Sequence, residues 1–168
     1  MISSYIKYTN VLNYDFLNKF KFKNTTEIPV VTNVILEFNF KTYNYDLLVR
    51  GLMILELITG SYCYIIKSKN SNTILKLKKG SPIGCKVNLK KKKALNFLFF
   101  LINTIKTDSY KITVDKFYSA NLVTEVFKFP ELQENYHFFK NVKSFNIKII
   151  TTAKTYAEFN YLLNSYKL

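Results

Sequence analysis

Apolar positions along this chain switch between two periods. Tyr5, Tyr8, Leu12, Phe16 and Phe20 recur every three or four residues, which predicts a helix over 5–20 with one buried side. Lys19, Lys21 and Lys23 form a basic exit, Asn24-Thr25-Thr26 a turn, and Pro29 opens an extended segment. From Val30 to Phe40 the period falls to two. Val34, Leu36, Phe38 and Phe40 share one face of a strand, and Asn33, Glu37 and Asn39 share the other with Ile35. Asn44 is suited to cap the next helix, and Asp46 in its first turn complements the helix dipole. Leu47, Leu48, Leu52, Leu55 and Ile58 supply its buried side, and Gly60 is the stop. A short strand follows over 61–67, with Tyr62, Tyr64 and Ile66 alternating against Cys63 and Ile65.

Lys67 to Asn72 is polar and basic with no apolar anchor, so it reads as an exposed loop. Gly80, Pro82 and Gly84 then build a turn, because glycine tolerates positive φ and proline presets φ. Over 84–90 the period is again two. Cys85, Val87 and Leu89 point one way, and Lys86, Asn88 and Lys90 the other. Lys91 to Lys93 open an apolar helix over 94–105. Residues 106–121 mix Lys106, Lys111 and Lys116 with Asp108 and Asp115 and give no clear period; Leu122 to Lys128 alternates as a strand. Phe145, Ile147 and Ile149 alternate with Asn146 and Lys148 in a last strand. Thr155 and Glu158 have capping-box spacing, and Phe159, Leu162 and Leu163 give the final helix its buried side.

Composition sharpens this picture in one respect, which is charge. The 168 residues suit one domain, 1–168, and 48% apolar content suits a globular core. The formal charge is +14, so a polyanion is the expected partner, nucleic acid before an anionic membrane. Arg50 is the only arginine, which argues for phosphate contact by lysine point charges and against base reading by guanidinium forks. Cys63 and Cys85 lie 22 positions apart and His137 is the only histidine, too few for the usual zinc sites; the cysteines read as small buried hydrophobes. No apolar run reaches the length of a membrane span, and no helix pairs a lysine-rich face with a strong apolar one. The abundance of Lys, Asn, Ile, Tyr and Phe matches translation from an AT-rich, organellar genome. There is neither a signal peptide nor an arginine before Arg50, so the expectation is a protein encoded inside the organelle or already processed.

Several stretches resemble one family in the right order. Pro82-Ile83-Gly84-Cys85-Lys86-Val87, followed by a basic turn and a helix, resembles the signature of the ribosomal protein L-five family of the large subunit. Leu55-Glu56-Leu57-Ile58-Thr59-Gly60 is similar to the end of the family's first core helix, Phe129-Pro130-Glu131-Leu132 to its Phe-Pro-Glu-Ile, and Thr151-Thr152-Ala153-Lys154 to its Thr-Thr-Ala-Lys. The resemblance covers about residues 12–105 and 126–166. It implies an α+β fold, a curved antiparallel sheet of about five strands backed by helices on one face, with an RRM- or ferredoxin-like core. It also implies a structural protein, with no cofactor, in the central protuberance of a mitochondrial ribosome, or alternatively of a plastid one.

The implied partners are 5S rRNA where one exists, otherwise large-subunit rRNA, with neighbouring proteins of the protuberance and a small-subunit head protein at an intersubunit bridge. The positions assigned to rRNA are Asn33, Asn39, Lys86, Asn88, Lys90, Lys91, Lys92, Lys148, Thr151, Thr152 and Lys154. The loop carrying Lys67, Lys69, Asn70, Asn72, Lys76, Lys78 and Lys79 would extend toward P-site tRNA. The chain departs from the family pattern at Glu37-Phe38-Asn39, where the family has Asn-Met-Gly, and at Ser61-Tyr62-Cys63, where it has Gln-Lys-Pro. Both patches lie where the family meets 5S rRNA, and a carboxylate at Glu37 would oppose phosphate. The segment before Phe129 is also shorter and lacks the family's Gly/Arg-rich loop, which bears on the intersubunit contact. The competing readings are another organellar RNA-binding protein or a basic RNA-processing enzyme. The enzyme would need a carboxylate pair for metal, and Asp108 with Asp115 is the only candidate.

Overall fold

The computed structural model describes residues 2–40, 44–75, 77–104, 111–116 and 119–166, with side chains described throughout except over 2–10 and 111–116. Helix α1 (Ile2–Lys19) leads to strand β1 (Val31–Asn39), helix α2 (Tyr45–Thr59), strands β2 (Tyr64–Lys67) and β3 (Pro82–Lys90), and helix α3 (Lys92–Thr104). A hairpin of β4 (Lys111–Lys116) and β5 (Ser119–Glu125) follows. Then come two single-turn helices, α4 (Pro130–Gln133) and α5 (Tyr136–Phe139), strand β6 (Ser144–Thr151) and helix α6 (Tyr156–Ser165).

The strands form one sheet in the order β2-β3-β1-β6-β5-β4, antiparallel at every junction. Taken without the β4–β5 hairpin, the run β1-α2-β2-β3-α3-β6 with sheet order β2-β3-β1-β6 is a ferredoxin-like arrangement. The inserted hairpin extends the sheet past β6, so among the described residues there are six strands where about five were expected. The hairpin falls in the stretch that had no legible period. Its outer strand is an edge strand, and edge strands carry charged residues that blunt unwanted pairing, here Lys111, Asp115 and Lys116, which hides the alternation. Strand β5 also begins at Ser119 and gives way to a 3₁₀ turn at Val126–Lys128, so the strand expected over 122–128 lies several residues earlier. Lys106 and Asp108 lie outside the described residues, as do the side chains of Asp115, Tyr5 and Tyr8.

One face of the sheet is the core. Val34, Leu36 and Phe38 of β1, Cys85, Val87 and Leu89 of β3, and Phe145, Ile147 and Ile149 of β6 are all buried, as the period-two pattern requires. The helices bury one side against this face: Leu48, Ile54 and Leu55 of α2, Ala94, Phe97, Leu98 and Leu101 of α3, and Phe159, Leu162 and Leu163 of α6. In α2 the fully buried stripe is Leu48-Gly51-Ile54-Leu55, and Leu47, Leu52 and Ile58 are only partly covered. The register is decided by Gly51, which the leucine pattern could not reveal. A Cβ there would stand 3.1 Å from both Cys85 Sγ and a Phe40 ring carbon, so the missing side chain lets the helix approach the sheet. On α1, Leu12 and Phe16 are buried, and the Phe16 ring meets Tyr161 of α6 edge-on at 4.9 Å between centroids.

The caps form as the sequence indicates. Asn44 accepts a hydrogen bond from Asp46 N, and Gly60 ends α2 in the left-handed region at φ 58°. Thr155 and Glu158 close a reciprocal capping box at α6.

Candidate nucleic-acid interface

The opposite face of the sheet carries the polar members of each strand. The β1–β3 register sets Lys90 beside Asn33, Asn88 beside Ile35 and Lys86 beside Glu37. The β1–β6 register sets Lys148 on the other side of Ile35 and Asn146 on the other side of Glu37. Lys86, Asn88 and Lys90 are exposed, Asn33 and Lys148 half-buried. These five residues, spread over 115 positions of sequence from Asn33 to Lys148, thus share one surface across three neighbouring strands. Asn39 is on the same face at its far end, where its side-chain amide donates to Glu37 Oε1 at 3.3 Å. That bond occupies part of the carboxylate that stands beside Lys86.

Gly84 is what brings β3 against β1 here. A Cβ at this position would collide with the Phe38 carbonyl oxygen, at a separation no real Cβ tolerates. The glycine of the Pro-Ile-Gly-Cys run is therefore a requirement of close strand approach. At the other end of β3 the chain turns sharply. Lys91 takes φ 48°, donates its N–H to the Thr32 carbonyl at 3.2 Å, and offers its own carbonyl to Leu95 N at 3.2 Å to begin α3. A lysine in the left-handed region is strained by roughly 1 kcal/mol. The turn carries Lys91 and Lys92, both exposed, away at the end of the polar face next to Lys90.

Thr151, Thr152 and Lys154 do not join that face as offered side chains. Thr151 is buried, which corrects its assignment to an RNA-facing surface. Thr152 is exposed, but its Oγ1 accepts from Val30 N at 3.0 Å and tethers the end of β6 to the start of β1. Lys154 donates from Nζ to Glu27 Oε1 at 3.1 Å, an ion pair that joins the segment before β1 to the segment after β6. The Lys154 ammonium, with help from the Lys23 N–H, holds the Glu27 carboxyl below its ordinary value.

The loop between β2 and β3 is a closed hairpin. Ser68 N donates to Ser81 O at 2.8 Å, Gly80 N to Ser68 O at 2.9 Å, and Asn72 and Leu77 exchange two bonds of 2.9 Å. Asn72 Oδ1 accepts from Ile74 N and Leu75 N, which turns the tip. Asn72 is thus a turn-former as well as a surface residue. Lys67, Lys69, Asn70, Asn72, Lys78 and Lys79 are exposed; Lys76 lies outside the described residues.

Two features escaped sequence reasoning. The cysteines, read as small buried hydrophobes, are neighbours, with Cys63 just before β2 and Cys85 on β3. Only Cys85 is fully buried; Cys63 is half-buried with its sulfur 3.4 Å from the Lys86 carbonyl oxygen. The interaction between the two thiols draws Cys63 below the usual thiol value against the effect of its partial burial, and the same interaction together with burial pushes Cys85 far up. Tyr62 and Tyr64, seen in the sequence only as members of an alternation, are 88% and 63% exposed. The signal that could have found them is the inward demand of Cys63, which leaves its two tyrosine neighbours on the outer side.

No family model matches the chain. Individual relatives do. It is 31% identical over 170 residues to the large ribosomal subunit protein uL5m of Reclinomonas americana, covering 96% of this chain and 93% of that protein. It is also 31% identical over 168 residues to uL5 of Malacoplasma penetrans, covering 95% and 89%. Over 157 residues it is 31% identical to uL5 of Thermotoga maritima, covering 88% and 84%. With the ferredoxin-like core, the glycine-dependent β1–β3 pairing and a +14 charge already in view, near end-to-end similarity at this level is decisive: the chain belongs to the uL5 family of large ribosomal subunit proteins and is a structural protein of the translation machinery, not an enzyme.

Proposed function

We propose that the chain serves the large subunit of a mitochondrial ribosome by holding rRNA against the exposed face of its sheet through lysine–phosphate contacts. The observation that carries this is the column Lys86, Asn88 and Lys90 on β3, with Asn33 and Lys148 on the strands beyond. These side chains stand on a paired sheet, at the alternate-residue spacing of a strand, with Glu37 beside Lys86 and Glu125 farther along the same face on β5. Lysine is a compact charge that meets phosphate without demanding base identity. Lys91 and Lys92 extend the same positive surface at the end of β3.

A mitochondrial setting is supported by the similarity to uL5m of Reclinomonas americana and by the Lys-, Asn- and Ile-rich composition; a plastid ribosome is the alternative. The RNA partner is 5S rRNA where the ribosome has one and large-subunit rRNA otherwise, in the central protuberance and beside its other proteins. The hairpin over 68–81, with Lys67, Lys69, Lys78 and Lys79 exposed, extends toward P-site tRNA and holds its elbow by charge. A small-subunit head protein would meet the same subunit edge at the bridge.

The test is sedimentation. From purified mitochondria, the protein should co-sediment with large subunits after a high-salt wash; recovery in the free pool sinks the reading. Replacing Lys67, Lys69 and Lys78 with alanine should leave assembly intact and reduce protection of the P-site tRNA elbow. Unchanged protection would make the hairpin a connector only.

A further inference from the structure

We infer that Tyr62 and Tyr64 form a stacking platform for unpaired RNA bases at the β2 edge of the exposed face. The inference rests on the RNA-binding reading above and adds a class of ligand to it: nucleotides outside a duplex. Strand β2 is the outermost strand on its side of the sheet. Its register sets Tyr64 directly beside Lys86, with Ile65 opposite Cys85 on the other face, itself 48% exposed at the sheet edge. Cys63, between the tyrosines, keeps its sulfur against the Lys86 carbonyl and its backbone N–H on Glu56 Oε1 at 3.1 Å. With Cys63 held from within, Tyr62 and Tyr64 fall on the outer side, 88% and 63% exposed.

Two aromatic rings left in water have no packing reason to be tyrosine, and leaving them exposed forgoes burial that large side chains normally gain. They do have the composition of a base platform. Aromatic rings on a sheet surface stack splayed-out bases, while neighbouring cations hold the phosphates. Lys86 stands in the adjacent column, Lys67 is exposed at the end of the same strand, and Glu37 is one column farther in, beyond Lys86. This charge favours RNA over a protein partner, because lysine is depleted from protein–protein interface cores. The strand is also only four residues long, a short template for adding a strand of a second protein.

The experiment compares the full-length chain with Tyr62→Ala/Tyr64→Ala and Tyr62→Phe/Tyr64→Phe, binding a short unstructured oligoribonucleotide and an RNA duplex of equal length at several salt concentrations. The alanine variant should lose about tenfold or more in affinity for the single strand. Its duplex affinity and salt slope should be unchanged. The phenylalanine variant, which keeps the rings, should bind like the parent. Melting temperatures of all three should agree, since neither side chain is in the core. Unchanged single-strand affinity in the alanine variant, with a normal salt slope in the parent, overturns the platform and leaves the phosphate-binding reading standing. A parent that binds neither RNA in a salt-dependent way overturns both.

Discussion

Two stretches of this chain carry the same kinds of polar residue and use them in opposite ways. On β3, Lys86, Asn88 and Lys90 alternate with buried residues and reach solvent from a paired strand. At the end of β6, Thr151 is buried, Thr152 ties down the Val30 N–H, and Lys154 is paired with Glu27. The first stretch offers its polar groups outward. The second consumes them in joining the C-terminal part of the chain to the segment before β1. The difference lies in the neighbours, not in the residues. Lys86 and Lys90 stand on the outer face beside Glu37 and Asn33, whereas Lys154 follows the end of β6, where the chain before β1 brings in a carboxylate.

This contrast is broken most severely at the glycine beneath it. Gly84→Ala sets a Cβ against the Phe38 carbonyl, and the two backbones must separate. A drop in stability of about 3 kcal/mol is expected, read as a fall in the chemical-denaturation midpoint. If Gly84→Ala melts like the parent, β1 and β3 are not held as closely as described, and the lysine column loses its support.

The outward stretch is sharpened by Lys86→Ala/Lys90→Ala. Stability should stay within about 0.5 kcal/mol, since exposed positions contribute little to it. The slope of log K against log salt for RNA binding should shrink by about 0.7–0.9 for each phosphate that the variant no longer neutralises. A slope unchanged from the parent would show that these lysines touch no phosphate.

The inward stretch should respond in stability instead. Thr155→Ala removes the cap of α6 just after Lys154 and should cost about 1 kcal/mol, visible as a lower Tm, with no change in the salt slope. The smallest effect concerns Glu27. Its carboxyl is depressed by the Lys154 ammonium, so the ion pair contributes above the unfolded-state pKa and its contribution fades as pH falls through the lower folded-state value. Lys154→Ala should therefore narrow the gap in Tm between neutral and acid pH by a small amount, because the pair is exposed to solvent and screened. A wider gap in the variant would mean that Glu27 titrates against something else.

Thiol chemistry separates the two cysteines by burial. Cys63 should be alkylated at lower pH than an ordinary thiol and Cys85 only on unfolding, as measured by mass spectrometry across pH. Equal labelling of both in the folded protein would contradict their inequality.

What the sequence determined by itself is whatever depends on local period. Alternation in β1, β3 and β6 identified the strands and assigned Lys86, Asn88, Lys90 and Lys148 to the face opposite Cys85, Val87, Leu89, Ile147 and Ile149. Asn44, Gly60 and the Thr155–Glu158 pair marked helix ends, because a cap is satisfied within about four residues of chain. What only the tertiary structure decided is whatever depends on who lies across the gap. The β4–β5 hairpin was illegible because an edge strand needs no apolar alternation on its open side. The buried stripe of α2 was settled by Gly51 meeting Cys85, the fate of Lys154 by a carboxylate 127 positions away, and the exposure of Tyr62 and Tyr64 by Cys63 being held inward at the start of a strand that is outermost among the described residues. Local sequence encodes which way a side chain points along its own element; only the packing of distant elements settles whether that direction leads to solvent, to a partner within the chain, or to RNA.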